Sequence, residues 1–312
     1  MFHRHSSEQA AAVEVVVPTR AGRLLASLHA YFMLTKPRVI ELLLITTVPP
    51  MILAAGGWPS TALIGAVLLG GAAAAGGANT INCWIERDRD HLMRRTHLRP
   101  LPNGDVKPNG ALAFGIGLNV FAFVWLAWSA NLLAASLAIG ATLFYVFVYT
   151  IWLKPRSTQN IVIGGAAGAV PVLVGWAAVT GSLAAPAWVL FALIFVWTPP
   201  HFWALSVRYK DDYAAAGIPM LPVVKGIDYA ATQIVIYAVV VLAVSLILPF
   251  VATVGVLYVV VAVAGGLGFI GKAIALKRDP DPQRAIKVFT YSNVYLAALF
   301  VAVAADVLIR AA

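Results

Sequence analysis

Apolar runs long enough to cross a bilayer recur along this chain, near residues 39–56, 60–84, 109–129, 131–152, 161–180, 186–207, 229–249, 251–271 and 288–309. A membrane-spanning helix takes about 20 such residues. In hydrocarbon each backbone amide must find its partner inside the segment. The expected fold class is therefore all-α, a polytopic membrane protein with nine transmembrane helices. Composition agrees: 61% of the 312 residues are hydrophobic and 11% are charged, a balance that ordinary soluble domains do not have.

A net charge of +9 would by itself suit a nucleic-acid partner. Its distribution argues against one. The connections 57–59, 130, 181–185 and 250 carry no Lys or Arg. The basic residues fall before the first run and in 87–107, 154–156, 208–225 and 272–287, with Arg310 the one exception among 22. Under the positive-inside rule this pattern puts the N-terminus in the cytoplasm and the C-terminus outside. The expected location is the cell (plasma) membrane of a prokaryote, with the elaborated face in the cytoplasm. Residues 1–28 read as a disordered cytoplasmic tail and 29–312 as the intramembrane domain. Leu25–Leu34 is expected to be a short interfacial helix leading into Thr35-Lys36-Pro37-Arg38. The single cysteine, Cys83, excludes an internal disulfide and a multi-cysteine metal site.

The inner segment from Asn82 to Pro100 carries the most chemistry. It holds three carboxylates and five arginines directly after a long apolar run. Asn82, Glu86 and Asp90 are four apart and so share one face of a helix. Oxygen ligands on one stripe suit a hard divalent cation, and Arg94, Arg95 and Arg99 beside them suit phosphate. The reading is a Mg²⁺–diphosphate site. Asp88 falls on the opposite side of that helix from Asp90.

Four helices later a second inner segment, Arg208-Tyr209-Lys210-Asp211-Asp212-Tyr213, again sets carboxylates beside cations. Each segment is followed by a proline–leucine element, which makes a faint internal repeat. Opposite the first segment, Arg208, Lys210 and Asp212 would complete a clamp. Lys154, in the turn 154–160, is a further diphosphate candidate. His201 follows Thr198-Pro199-Pro200 inside a span, where a satisfied membrane histidine and a place beside the substrate are both open. Glu41 is expected to pair with Lys36 or Arg38 or to serve the site. Asp306 and Arg310 are expected to form an i,i+4 pair at the outer end.

These residues resemble the UbiA-type intramembrane prenyltransferases, from about Leu34 to the last span. The resemblance rests on Leu34-Thr35-Lys36-Pro37-Arg38, on Asn82 through Asp90 with Met93, Arg95, Thr96, Arg99 and Pro100, and on Gln159-Asn160-Ile161. It rests also on Thr198-Pro199-Pro200-His201-Phe202-Trp203 leading to Lys210-Asp211-Asp212-Tyr213. The Pro-Pro-His-Phe-Trp segment and the Lys-Asp-Asp-Tyr segment are similar to the haem-farnesylating branch of that family. The resemblance implies Mg²⁺ as cofactor, farnesyl diphosphate as donor, haem B as acceptor, and haem O with a hydroxyethylfarnesyl chain as product. It implies that Asn82, Glu86 and Asp90 form the first metal–diphosphate motif and that Asp212, with Lys210 and Arg208, forms the second. His201 is the haem-side candidate. Pathway logic adds a haem A synthase as a downstream partner. Two departures stand out. Glu86 replaces the family's usual Asp, and the positions four after Asp211 and Asp212 are Ala215 and Ala216, which puts a symmetrical second metal site in doubt.

The rivals are a prenyltransferase acting on a quinone precursor, a non-enzymatic transporter and a cytidine-diphosphate-alcohol phosphotransferase. A transporter would set ionisable residues near the midplane of several spans, whereas here almost all lie on one surface. The phosphotransferase opening Asp-Gly-x-x-Ala-Arg does not occur in the first acidic segment.

Overall fold

The computed structural model describes residues 19–312. Helices follow in the order α1 Arg20–Leu34, α2 Pro37–Ile45, α3 Val48–Ala55, α4 Thr61–Asp90, α5 Pro108–Ser129 and α6 Leu132–Leu143, which continues as a π-helix over Phe144–Leu153. Then come α7 Asn160–Thr180, α8 Ala185–Arg208, the short α9 Lys210–Ala215 and α10 Leu221–Val224, α11 Ile227–Ser245, α12 Leu248–Val251, α13 Val256–Arg278 and α14 Pro282–Ala311. The described residues contain no strand, in agreement with the all-α expectation.

Eight helices among the described residues are long and apolar enough to cross a membrane. The ninth expected span, 39–56, is not continuous: α2 and α3 are separated at Thr46 and Thr47. Pro49 and Pro50 have no amide N–H to offer the carbonyls of Ile45 and Thr46, so the ladder cannot run through. Both prolines instead occupy the first turn of α3, where the missing donors are tolerated. Residues 1–18 of the expected tail lie outside the described residues. The interfacial helix begins earlier than expected, at Arg20, where Thr19 Oγ1 accepts the Gly22 amide at 3.1 Å. Its Leu24, Leu25, Leu28 and Phe32 are exposed, as a helix lying on a lipid surface requires.

Packing makes two apolar clusters that share α3 and α7. One joins them to α8, α11, α13 and α14, the other to α4, α5 and α6. Small residues allow close approach: a Cβ on Gly77 of α4 would stand 2.6 Å from the Gly115 carbonyl oxygen of α5. At the outer end, Asp306 and Arg310 do not pair with each other as expected. Asp306 accepts the amides of Gly255 and Tyr258, both at 2.8 Å, and so caps the start of α13. Arg310 donates to the Val254 carbonyl at 3.1 Å. Four orphan amides at every helix start make that the stronger use of a buried carboxylate.

Candidate active site

Between α4, the π-helix, α7 and α8 lies a cavity of about 290 Å³. Helix α4 does not end where the sequence suggested an inner loop; it runs on to Asp90 and carries Asn82, Glu86 and Asp90 into the cavity wall. Their exposures are 1%, 4% and 3%, so these are polar groups held inside the protein. Asp88, on the other side, is exposed beside Arg87.

Each of the three oxygen donors holds a cation of its own. Lys36 Nζ donates to Asn82 Oδ1 at 2.7 Å. Lys154 Nζ is ion-paired with Glu86 Oε1. One nitrogen of Arg99 reaches both oxygens of Asp90, at 3.0 and 2.8 Å. Burial works against the Lys154 charge, but the Glu86 carboxylate outweighs it and raises the ammonium above its ordinary range. Lys36 is lowered, by burial and by the nearby charges of Arg99 and Lys154. Arg89 and Arg95 also line the cavity, which therefore faces five cations against the two carboxylates Glu86 and Asp90. Such an excess is the complement of a polyanion.

Two backbone features aim these groups. Lys36 is the one non-glycine residue with positive φ among those described, at 56°. A left-handed conformation costs a residue with a Cβ about 1–2 kcal/mol. Asn79 braces it by donating to the Thr35 carbonyl at 2.9 Å. The second feature is the π-helix. In an α-helix Lys154 would lie about 180° around from Tyr145. With i→i+5 bonding a turn holds roughly 4.4 residues and the offset shrinks to roughly 20°. Tyr145, Tyr149 and Lys154 consequently all line the cavity.

The polar chamber continues into an apolar pocket of about 190 Å³ with which it shares Val39, Asn79, Tyr145 and Gly168. Ala74 and Ala78 of α4, Ala138 and Ala141 of α6 and Ala167 of α7 keep that pocket open. Charge at one end and a narrow greasy channel at the other describe a ligand with an anionic head and a hydrocarbon tail.

The expected site residues divide accordingly. Asn82, Glu86, Asp90, Arg95, Arg99 and Lys154 line the cavity; Arg94 is exposed and does not. From the second segment it is Tyr213 that reaches the wall, and Arg208, Lys210 and Asp212 do not. The two segments nonetheless meet: Arg95 donates to the Tyr213 hydroxyl at 3.2 Å and lies over the rings of Tyr209 and Tyr213. In α8 the cavity receives Thr198 and Phe202, one turn apart. His201 faces α14 instead, stacked between Trp197 and Phe289 with its Nδ1 on the Ser292 hydroxyl at 2.8 Å. Glu41, expected to pair with Lys36 or Arg38 or to serve the site, is exposed and does not line the cavity, while Lys36 is in the site. Lys36, Arg89, Tyr145, Tyr149, Phe202 and Tyr213 are among the lining residues that charge and α-helical spacing did not assign.

The sequence profile of the UbiA prenyltransferase family matches residues 43–301. The chain belongs to the UbiA prenyltransferase family. Among curated UbiA relatives, the protoheme IX farnesyltransferase of Gloeobacter violaceus is 51% identical over 285 residues, 91% of this chain and 93% of that one. Those of a Nostoc species and of Mycobacterium tuberculosis are 49% and 48% identical, covering 89% and 93% of this chain and 88% and 95% of theirs. Solved UbiA folds superpose well. A digeranylgeranylglyceryl phosphate synthase aligns at TM-score 0.75 and 18% identity, covering 90% of this chain and 98% of the other. A UbiA homolog from Archaeoglobus fulgidus bound to GPP and Mg²⁺ aligns at 0.61 and 17%, covering 88% and 99%.

The UbiA cavity of this chain offers Mg²⁺ two carboxylates and an amide oxygen on one helix face. Among the described residues no cluster of three His, Cys, Asp or Glu side chains could hold a metal alone. That set fits an ion that keeps water and takes the rest of its shell from substrate phosphates, as Mg²⁺ does.

Proposed function

We propose that this enzyme transfers the farnesyl group of farnesyl diphosphate to a vinyl group of haem B, giving haem O. The single observation that carries the reading is the cavity with five cations at its polar end and an alanine-lined channel at the other. The names of the relatives at about half identity supply the acceptor.

The C1–O bond of the donor breaks and diphosphate departs with the electron pair. Lys36, Arg95, Arg99 and Lys154 stand where they can neutralise the growing charge, an electrostatic contribution that grows toward the transition state. Bound Mg²⁺, held by Asn82, Glu86 and Asp90, would supply further charge neutralisation on the same oxygens. Residues of the apolar channel keep water from the allylic cation. The haem vinyl group attacks C1, water adds to the resulting cation, and its proton leaves to diphosphate or solvent. No enzymic nucleophile is needed. Tyr145, Tyr149, Phe202 and Tyr213 line the same cavity together with Gly164, Gly165 and Gly168, and such rings suit a porphyrin face.

In this reading the site opens to the cytoplasm of a prokaryotic cell, supported by the basic inner connections. Asp212 and Lys210, on the short helix that carries Tyr213, and Arg208, at the end of α8, serve as second-segment charges. His201, next to Phe202 in α8, is the haem-side candidate. A haem A synthase would consume the product.

Purified protein with haem B, farnesyl diphosphate and Mg²⁺ should yield haem O by mass spectrometry. Prenylation of a quinone precursor with no farnesylated haem would refute the acceptor and keep the class.

A further inference from the structure

We infer that Thr150 is a positioning residue that fixes which end of the Asn82 amide faces the metal–diphosphate site. The inference rests on the diphosphate reading above.

The argument is one of hydrogen-bond polarity. The Tyr145 carbonyl oxygen can only accept, and the Thr150 hydroxyl lies 2.8 Å from it, so that hydroxyl donates there. Its proton is thereby committed, and only its lone pairs remain for Asn82. At 3.1 Å from Thr150 Oγ1, Asn82 must present its NH₂ end. The carbonyl end of the same amide is then turned the other way, where Lys36 Nζ, which can only donate, meets it at 2.7 Å. Two independent constraints, one from an acceptor and one from a donor, select the same orientation. Thr150 is 2% exposed and Asn82 1%, so water does not compete for these bonds. The π-helix makes the geometry possible: residues five apart lie nearly one above the other, which brings the Thr150 hydroxyl back over the Tyr145 carbonyl.

The consequence concerns ligand quality. An amide that presents oxygen is a ligand for a hard cation, and one that presents NH₂ repels it. Glu86 and Asp90 have oxygen at both ends and need no such control; Asn82 does. The hydroxyl of Thr150 supplies it from outside the ligand shell, as outer-shell partners of metal ligands do elsewhere.

The test uses the full-length protein in detergent, with Mn²⁺ and inorganic diphosphate as probes and electron paramagnetic resonance as the readout of free Mn²⁺. Thr150→Val keeps the shape and removes the hydroxyl; it should weaken Mn²⁺ binding roughly tenfold or more, the usual loss on removing an outer-shell partner. Thr150→Ser keeps the hydroxyl and should stay within about threefold of wild type on the same grounds. In an Asn82→Asp background, whose side chain carries oxygen at both ends, the Val penalty should shrink to less than about threefold, read as a double-mutant cycle. Unchanged Mn²⁺ affinity in Thr150→Val would overturn the inference. So would a Ser variant as weak as Val, or a Val penalty undiminished by Asn82→Asp. A wild-type chain that binds no Mn²⁺ with diphosphate would overturn the site reading itself, an outcome distinct from wild-type binding that Thr150→Val leaves intact.

Discussion

Lys154 and Glu86 are 68 residues apart in sequence, and their side chains close an ion pair inside the cavity wall. Glu86 reaches the pair from near the end of a long α-helix, Lys154 from the end of a π-helix. Removing one member of such a buried pair leaves a charge without a partner, which costs about 3–5 kcal/mol. It also deletes a cation from the polar chamber.

Lys154→Met should therefore lower both thermal stability and haem O turnover, the latter by roughly 100-fold or more. Adding Glu86→Gln to Lys154→Met removes the stranded charge. Stability should recover while turnover stays low, because neither the cation nor the metal-ligand carboxylate is restored. Melting temperatures and product formation for the two variants check this; parallel recovery of both would contradict a role for the pair in the chemistry.

Lys36 provides a pH signature. Burial, reinforced by Arg99 and Lys154, lowers its ammonium below the ordinary value of 10.5. The folded chain thus releases this proton at a lower pH than the unfolded chain does. Between those two values the unfolded state binds more protons, so this group's contribution to stability rises with pH while its grip on an anion is lost. The profile of kcat/KM for farnesyl diphosphate, which reports the free enzyme, should show an alkaline limb below pH 10.5. Lys36→Arg keeps its charge throughout the range and should move that limb upward. An unmoved limb would assign it to another group.

Much of this site was legible in the sequence because it follows α-helical arithmetic. Asn82, Glu86 and Asp90 share a face at a spacing of four, and the helix that carries them is as regular as that spacing assumes. The spans were legible for the same reason: hydropathy and length decide them. What was not legible depends on departures from that arithmetic. Lys36 is itself left-handed, directly before Pro37, and the helical spacing that would pair it with Glu41 does not survive that turn. Tyr145, Tyr149 and Lys154 share a face only in π-helical register. The first span breaks because two adjacent prolines lack donors. Asp306 and Arg310 satisfy the α-helical pair rule and still part company, since unpaired amides at the start of α13 are better partners for a buried carboxylate.

The apolar channel should measure chain length. Ala74 and Ala138 face it from α4 and α6 and are buried, so neither wall has room for a ring. Ala74→Phe or Ala138→Phe should shorten the channel and lower kcat/KM for farnesyl diphosphate by roughly tenfold or more relative to geranyl diphosphate, since overpacked cores do not yield freely. Competition between the two donors, read by product mass, decides it. An unchanged preference would place the tail elsewhere, for instance in the lipid-facing groove beside Ile116 and Phe123.

The two acidic segments should not be equivalent toward diphosphate. Asp90 is buried in the cavity wall under Arg99, whereas Asp212 is half-buried and off the wall, one residue before a tyrosine that Arg95 holds in it. With Mn²⁺ and inorganic diphosphate, Asp90→Ala should abolish measurable binding. Asp212→Ala should keep affinity within about threefold, since it removes no lining group and ligand loss costs far more than that. Tyr213→Phe keeps the ring under Arg95 and loses one hydrogen bond, worth about 1 kcal/mol, so its effect on the KM for farnesyl diphosphate should be about fivefold. Equal loss in Asp90→Ala and Asp212→Ala would mean that the helix Lys210–Ala215 swings its carboxylate onto the bound anion. In that case Tyr213→Phe, which loosens the Arg95 contact, should raise the rate at which binding occurs rather than the KM.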